Sequence, residues 1–370
     1  MPIRTVEGKR DLKQFLELPY RLYKDDPVWV PPLRSEQAGQ LDPKRNPMLA
    51  RCEYALFLLE DPHRVIGRVA AFIDPVALEH WKQPIGLFGS YECVADEVAG
   101  RMLLEAARDW LARRGMKSMR GPWSFASQEW GLVVEGFHPA PVVMAPYNPP
   151  FYNDHLTAFG LSKAKDLLAY YIDQREGYAL PERYLKLTGN VQKRYGVSVR
   201  HIDMARLEEE VSVIVELANA SIADNWGFYP VSEAEGRAMA RDLKQVIRAR
   251  DVVIAEDPSG RAVGFALAIP DINVLLRGLN GNLLPFGWLR LLTGLRRIRQ
   301  VRLWALGVVP EYQGKAVDAL LYRALYEALG PEVDRVEVNY VLEDNVRMNN
   351  ALRGLGVKPL RRYRVYEMGI

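Results

Sequence analysis

The chemistry in this sequence concentrates in one turn. After the apolar run from Leu303 to Val308, the chain reads Val309-Pro310-Glu311-Tyr312-Gln313-Gly314-Lys315-Ala316-Val317-Asp318, then settles into the apolar spacing of a helix. Val308 and Val309 close a strand, and Pro310 interrupts its ladder. The first amides of the following helix have no intrahelical acceptor and carry the positive end of its dipole, which suits them to a pyrophosphate. Small residues at Gly314 and Ala316 let phosphates approach the backbone. Gln313, Lys315 and Val317 complete the candidate cradle. Asp318 works against it by placing a carboxylate near where phosphates would sit. Without a ligand, the same residues read as an ordinary strand–helix connection.

Such a turn needs an α/β sheet to hold it, and the C-terminal half supplies the pattern. A strand over 196–203, a helix over 204–220, a loop and a helix over 232–249 lead to a hairpin turning at Pro258-Ser259-Gly260. Beyond an apolar stretch over 272–300, the spacing predicts strand 302–309, helix 315–329, strand 334–341, helix 345–355 and a last strand over 360–368. That is an α/β layout around a mixed sheet. The N-terminal half repeats the order: helix 9–24, a hairpin split by Asp61-Pro62-His63, strand Gly86 to Cys93, helix 97–114, strand 118–125, and a short helix from Pro150 to Phe159. Both halves close on an apolar-Gly-apolar step before a terminal strand. The parallels predict an internal duplication, with domains 1–175 and 176–370 meeting near the polar run Asp173-Gln174-Arg175-Glu176-Gly177.

A second segment supports the turn. After the strand holding Glu337 and Asn339, Asn345 stands where a helix begins, and the helix ends at Leu355-Gly356-Val357. Asn345 is a good N-cap on chemistry alone. With the turn at Val309 to Asp318, this segment resembles the Gcn5-related N-acetyltransferase (GNAT) superfamily, whose motif is Gln/Arg-x-x-Gly-x-Gly/Ala followed by an Asn-led helix. Gln313 matches the first position, while Ala316 and Asp318 depart from the small residues that follow. The resemblance extends over roughly 196–370 and implies two tandem GNAT-like acyl-CoA N-acyltransferase domains, the N-terminal one degenerate.

The resemblance also implies a mechanism. An acyl-CoA thioester, acetyl-CoA or a longer acyl-CoA, lies where the fourth and fifth strands splay, and an amine attacks it without an acyl-enzyme. Amides at Leu306 to Val309 stabilise the oxyanion, and Asn345 lies beside the pantetheine arm. The base is open. Glu337 and Asn339 share a face by alternation, and Glu337 is also readable as a structural glutamate. Asp224 is a second candidate. Asn225, Trp226 and Phe228 follow it in a loop that lines the acceptor site in the family, although such a run also suits packing under a helix. Leu352 replaces a tyrosine that commonly protonates the leaving thiolate. In the N-terminal half, the turn Val94-Ala95-Asp96-Glu97 is acidic and would repel phosphates, so that half is read as shaping the acceptor pocket, with Tyr147 and Asn148 among its notable residues.

Composition limits the alternatives. A formal charge of +3 is too weak to indicate nucleic acid, so none is expected as a partner. The two cysteines and five scattered histidines lack ligand spacing, so no metal is expected. The N-terminus has no apolar signal core and no run reaches the ~18 apolar residues of a spanning helix. The expected compartment is the cytoplasm, with peripheral contact at the inner membrane surface. That contact would run through 275–299. From Asp271 to Glu311 the chain has six arginines and no acid among many leucines, with Phe286 and Trp288. A core helix and an interfacial segment are both open readings. The whole chain is similar to a bacterial group of tandem GNAT-like proteins that includes ceramide synthases, which implies a long-chain or sphingoid amine acceptor. A catalytically inactive binding or regulatory protein and a Fem-like aminoacyltransferase are the competing readings.

Overall fold

The computed structural model describes residues 1–125 and 129–370. Two compact units emerge: one of residues 1–167, 276–289 and 361–370, the other of 168–275 and 290–360. The first unit therefore takes two short pieces from the later part of the chain.

The first unit runs β1 (Ile3–Thr5), α1 (Gly8–Leu22), α2 (Arg34–Gln40), α3 (Pro47–Arg51), β2 (Glu53–Glu60), β3 (Val65–Ile73), α4 (Pro75–Trp81), β4 (Ile85–Cys93), α5 (Glu97–Ala112), β5 (Ser118–Gly121), β6 (Leu132–Glu135), α6 (Phe151–Ala158) and the start of β7 (Ser162–Asp173). Strands β1 to β4 pair antiparallel in sequence order, and β4 then pairs parallel with β5. A parallel neighbour requires a crossover, which α5 provides. Its apolar face, with Leu103, Ala107 and Leu111, closes a core with Phe57, Leu59 and Val69.

The second unit takes the end of β7, then α7 (Glu182–Tyr195), β8 (Ser198–His201), α8 (Leu207–Ser221), α9 (Glu233–Leu243), β9 (Val252–Glu256), β10 (Ala262–Pro270), α10 (Asn273–Leu276), α11 (Gly287–Gly294), β11 (Gln300–Val308), α12 (Val317–Leu329), β12 (Arg335–Leu342), α13 (Val346–Gly354) and the start of β13 (Lys358–Gly369). The wiring repeats: β8 to β11 pair antiparallel in order, and β11 pairs parallel with β12 across α12. In α12, Leu320, Leu321 and Leu325 are buried with Val253, Ile254 and Phe265 of β9 and β10. Full burial of one such leucine contributes about 1.5–3 kcal/mol.

Two features depart from the sequence reading. Helix α7 was not expected, because Gly189 and Thr188 weaken its middle; it stops at Gly196, whose positive φ of 63° is a left-handed cap. The stretch 272–300 is not one core helix. Gly278, Asn280 and Gly281 all have positive φ, and this turn divides it into the short helices α10 and α11. Among the described residues no helix is long and apolar enough to cross a membrane.

Candidate active site

The C-terminal end of β11 is where the second unit becomes chemically unusual. Its parallel register with β12 covers only Gln300–Leu303 against Arg335–Val338, while β11 itself continues to Val308 along β10. At the parting, the β10 register shifts between Leu267 and Ala268, so Trp304 is an extra residue in β11. A bulge of this kind bends a strand away from its neighbour. Beyond it the hydrogen bond from Val309 N to Val263 O (3.0 Å) fixes the alternation. Odd-numbered residues 305, 307 and 309 face β10, and the amides of Leu306 and Val308 face the gap left by β12.

The turn after β11 is held from below. Gln313 Nε2 donates to Val308 O at 3.0 Å and to Ser221 O at 3.3 Å, tying the strand end to the end of α8. Gly307 permits that approach: a Cβ there would meet Ser221 Oγ at 2.1 Å. The side chain of Gln313 is thus a clamp on the turn. Gly314 (φ 77°) and Ala316 (φ 61°) both adopt the left-handed region, and nothing lies within 4 Å of where a Gly314 Cβ would be. Ala316 caps α12 without any side-chain acceptor, which leaves the first amides of the helix to an outside anion. The Lys315 ammonium lies 4.4 Å from the Tyr312 ring and 5.3 Å from that of Tyr195. Val317 is buried and Asp318 half-buried in the first turn. These residues fit a diphosphate, with Asp318 as the opposing charge.

Below the parting of the strands, Arg302, Glu337 and Asn339 are buried. Arg302 Nε donates to Asn339 Oδ1, and Asn339 Nδ2 donates to Glu337 Oε1 at 2.7 Å. Glu337 is opposite Arg302 in the register. The alternation argument placed Glu337 and Asn339 on one face, which this bond joins; the arginine between them and the opposite strand was missed. Asn345 caps α13 by accepting from Met348 N at 3.1 Å. Four residues on, buried Asn349 accepts from Tyr170 at 2.6 Å and donates to Leu342 O at 3.0 Å, closing the end of β12. Leu352 is buried. Tyr322 on α12 donates to Met348 Sδ at 3.1 Å, and burial pushes its phenol far up, making it a poor acid.

The loop after α8 leaves from Ser221. Asp224 and Asn225 are exposed, Trp226 is half-buried, and Phe228 is buried. Asn219 clamps the far side, exchanging hydrogen bonds with Val231 N (2.9 Å) and Val231 O (2.8 Å).

The first unit uses the same wiring differently. Tyr147 donates to Asp26, and Asn148 is spent on the backbone, accepting from Val133 N at 2.6 Å and donating to Pro149 O at 2.9 Å. Val94 N bonds Ile66 O (3.1 Å), as Val309 bonds Val263, so Cys93 corresponds to Val308. Its amide already donates to Tyr152 Oη at 2.7 Å, and Tyr152 and Tyr23 both donate to Glu92. Asp96 caps α5 through Ala99 N. Among the described residues no group of three or more His, Cys, Asp or Glu side chains could hold a metal ion.

No family model matches the sequence. Whole-chain relatives do. The chain is 35% identical over 376 residues to Protein YghO of Escherichia coli, covering 100% of this chain and 95% of that protein. It is 34% identical over 382 residues to the bacterial ceramide synthase of Caulobacter vibrioides, covering 100% and 98%. Among solved structures, a tandem GNAT protein from the clavulanic acid biosynthesis pathway aligns with a TM-score of 0.61 at 15% identity, over 100% of this chain and 98% of that one. The chain belongs to the family of these two bacterial proteins and has the tandem GNAT fold. In that fold β11 and β12 take the places of the fourth and fifth strands, and α12 follows the turn that joins them. At 15% identity the structural likeness speaks for the fold alone.

Proposed function

We propose that the second unit transfers an acyl group from an acyl-CoA thioester to an amine by direct attack. The parting of β11 from β12 beside an uncapped helix start carries this reading. The amides ahead of α12 would take the diphosphate, with Lys315 adding charge. The amides of Leu306 and Val308 would line the thioester and one would hold the oxyanion. The amine nitrogen bonds to the carbonyl carbon, the C–S bond breaks, and the proton lost from nitrogen balances the one gained by sulfur. No separate phenolic acid is required at Leu352. Glu337, linked through Asn339, and Asp224, exposed on the loop, are the two carboxylates proposed to move that proton; burial beside Arg302 favours a positioning role for Glu337. Asn225, Trp226 and Phe228 are proposed to line the acceptor path, with Tyr147 and Asn148 shaping the first unit. The printed name of the Caulobacter relative favours a long-chain sphingoid amine, and contact with a membrane surface through 275–299 would give access to such an acceptor.

The test is release of free thiol from palmitoyl-CoA and acetyl-CoA, each with a sphingoid amine and a panel of short amines, with products identified by mass spectrometry. Long-chain amide formation supports the reading. Tight CoA binding without turnover on any amine would replace it with a binding function.

A further inference from the structure

We propose that the first unit docks on an anionic phospholipid bilayer, inserting the tip Leu284–Leu289 and meeting lipid phosphates with Lys9 and Lys13. This deepens the membrane contact suggested above by assigning the residues that dip and those that face the headgroups.

The tip is unusual for a folded surface. Leu284 is 80% exposed, Phe286 75%, and Trp288 and Leu289 47% each. Four large apolar side chains in six residues exceed the scattered exposure normal for a soluble surface. The tip is nonetheless built. Trp288 Nε1 donates to Pro285 O at 2.9 Å, and a Cβ at Gly287 would collide with Asn282 O at 2.7 Å. An ordered apolar wedge with an indole near its base is suited to the interface between headgroups and acyl chains.

Beside the tip lies a cavity of about 250 Å³ between α1 and α2. Its floor includes Leu12, Leu16 and Tyr20, and Lys9 and Lys13 stand at its edge. Arg34 joins the two features: it lines the cavity, stacks 3.8 Å over the Tyr20 ring, and donates Nε to Asn280 O at 3.1 Å. Its own amide bonds Gly281 O at 3.0 Å. Leu284 is three positions beyond Gly281, so tip and cavity are neighbours, within about 10 Å along the chain. Glu17, the acid in the cavity wall, is paired with Arg34. Lys9 and Lys13 are exposed, four apart on one face of α1. Exposed Arg277 adds a further cation, in a stretch that has no acid from Ile272 to Pro310. Cations around an apolar floor and an apolar wedge match a phospholipid surface, with phosphate outside and glycerol and chain inward.

The full chain is pelleted with vesicles of phosphatidylcholine alone, and with vesicles of equal parts phosphatidylcholine and phosphatidylglycerol. Binding should be strong only to the second and fall with salt. Lys9→Gln with Lys13→Gln should weaken it by about 25-fold, near fivefold for each lysine. Leu284→Asp with Phe286→Asp should weaken it more than tenfold. Both pairs are on the surface and should melt like the parent. Transfer to a short soluble amine should be unchanged, and vesicle binding is readable even if no amine is acylated, so the two readings fail separately. Equal binding to both vesicle types, unchanged binding by the variants, or a tip that is instead buried in a dimer on size-exclusion chromatography would each overturn the proposal.

Discussion

Replacing Asp318 with Asn should tighten CoA binding while slightly destabilising the free protein. Asp318 is the second residue of α12, one past Val317 and two past the cap Ala316. With a rise of about 1.5 Å per residue, its carboxylate lies roughly 5–8 Å from an anion seated on the first amides. For a half-buried group an effective dielectric of about 40 is reasonable, and two unit charges near 6 Å then repel by about 1–1.5 kcal/mol. Removing the charge should lower the Kd for CoA by about 5–10-fold. The same carboxylate favours the helix dipole, so its loss costs about 0.3–1 kcal/mol in the free protein. The two effects have opposite signs, which a purely structural role for Asp318 does not produce. Titration calorimetry with CoA, and with pantetheine as the ligand lacking phosphates, separates them. The gain should appear for CoA, shrink at high salt, and be missing for pantetheine. Equal gains for both ligands, or a CoA affinity unchanged within about twofold, would refute the placement of the diphosphate at α12.

Other perturbations address what holds the turn. Gly307→Ala forces a Cβ onto Ser221 Oγ, which should cost about 1–3 kcal/mol in urea unfolding; adding Ser221→Gly should recover much of the loss, and no recovery would mean that Phe265 is the dominant clash. Gln313→Ala frees the Val308 and Ser221 carbonyls and should destabilise by about 1–2 kcal/mol, raising the KM for acyl-CoA more than it lowers kcat. The Asp173 carboxyl is held well below its ordinary range, first by Arg175 and then by Arg335 and Tyr171. Its folded pKa is below its unfolded value of about 4, so its stabilisation is complete above that pH and is lost as pH falls through it toward the folded value. Asp173→Asn should flatten the acid side of the urea midpoint against pH profile; an unchanged profile would remove Asp173 from the account.

The order of strands and helices was legible because both halves write period-two and helical spacings plainly, and a turn such as Pro258-Ser259-Gly260 needs no tertiary context to be recognised. Val309 to Asp318 was legible for the same reason: strand end, Pro310, Gly314 and helix start are adjacent in sequence. What escaped depends on partners far apart in the chain. Nothing near Asn349 announces Tyr170, which is 179 residues away, and nothing near Arg302 announces Asn339 across the gap. Gln313 read as a ligand-facing residue because its donors are visible in sequence, whereas the carbonyls it serves are not. The bulge at Trp304 could not be read from β11 alone, since a bulge is a property of a pair. The apolar stretch over 272–300 misled for a different reason: leucine spacing suits a helix, but Gly278, Asn280 and Gly281 adopt backbone angles that a helix cannot contain.

The two units give an internal comparison of what the proposed acyl-CoA site would require. Both have an antiparallel run of strands, a parallel pair parting at the same point, and a register shift there: Trp304 in β11, and between Gly89 and Glu92 in β4. Sheet geometry alone therefore does not make the site. In the first unit only residues 94–96 lie between β4 and α5, against 309–316 between β11 and α12, so the loop that would cradle a diphosphate is missing. Asp96 spends its carboxylate on the α5 amides, supplying from within the charge that α12 leaves to a ligand. The amide of Cys93, equivalent to that of Val308, is occupied by Tyr152. The gap itself is closed by backbone: Trp123 N bonds Phe88 O at 2.8 Å, and Gly89 and Gly121 are needed because a Cβ at either would strike a carbonyl oxygen at 1.9 Å or 2.3 Å. Each hydrogen bond that finishes the first unit removes a donor a thioester would need. Under the proposed acyl transfer, the amides that matter are those left for a ligand, and the uncapped start of α12 is where the second unit would keep them.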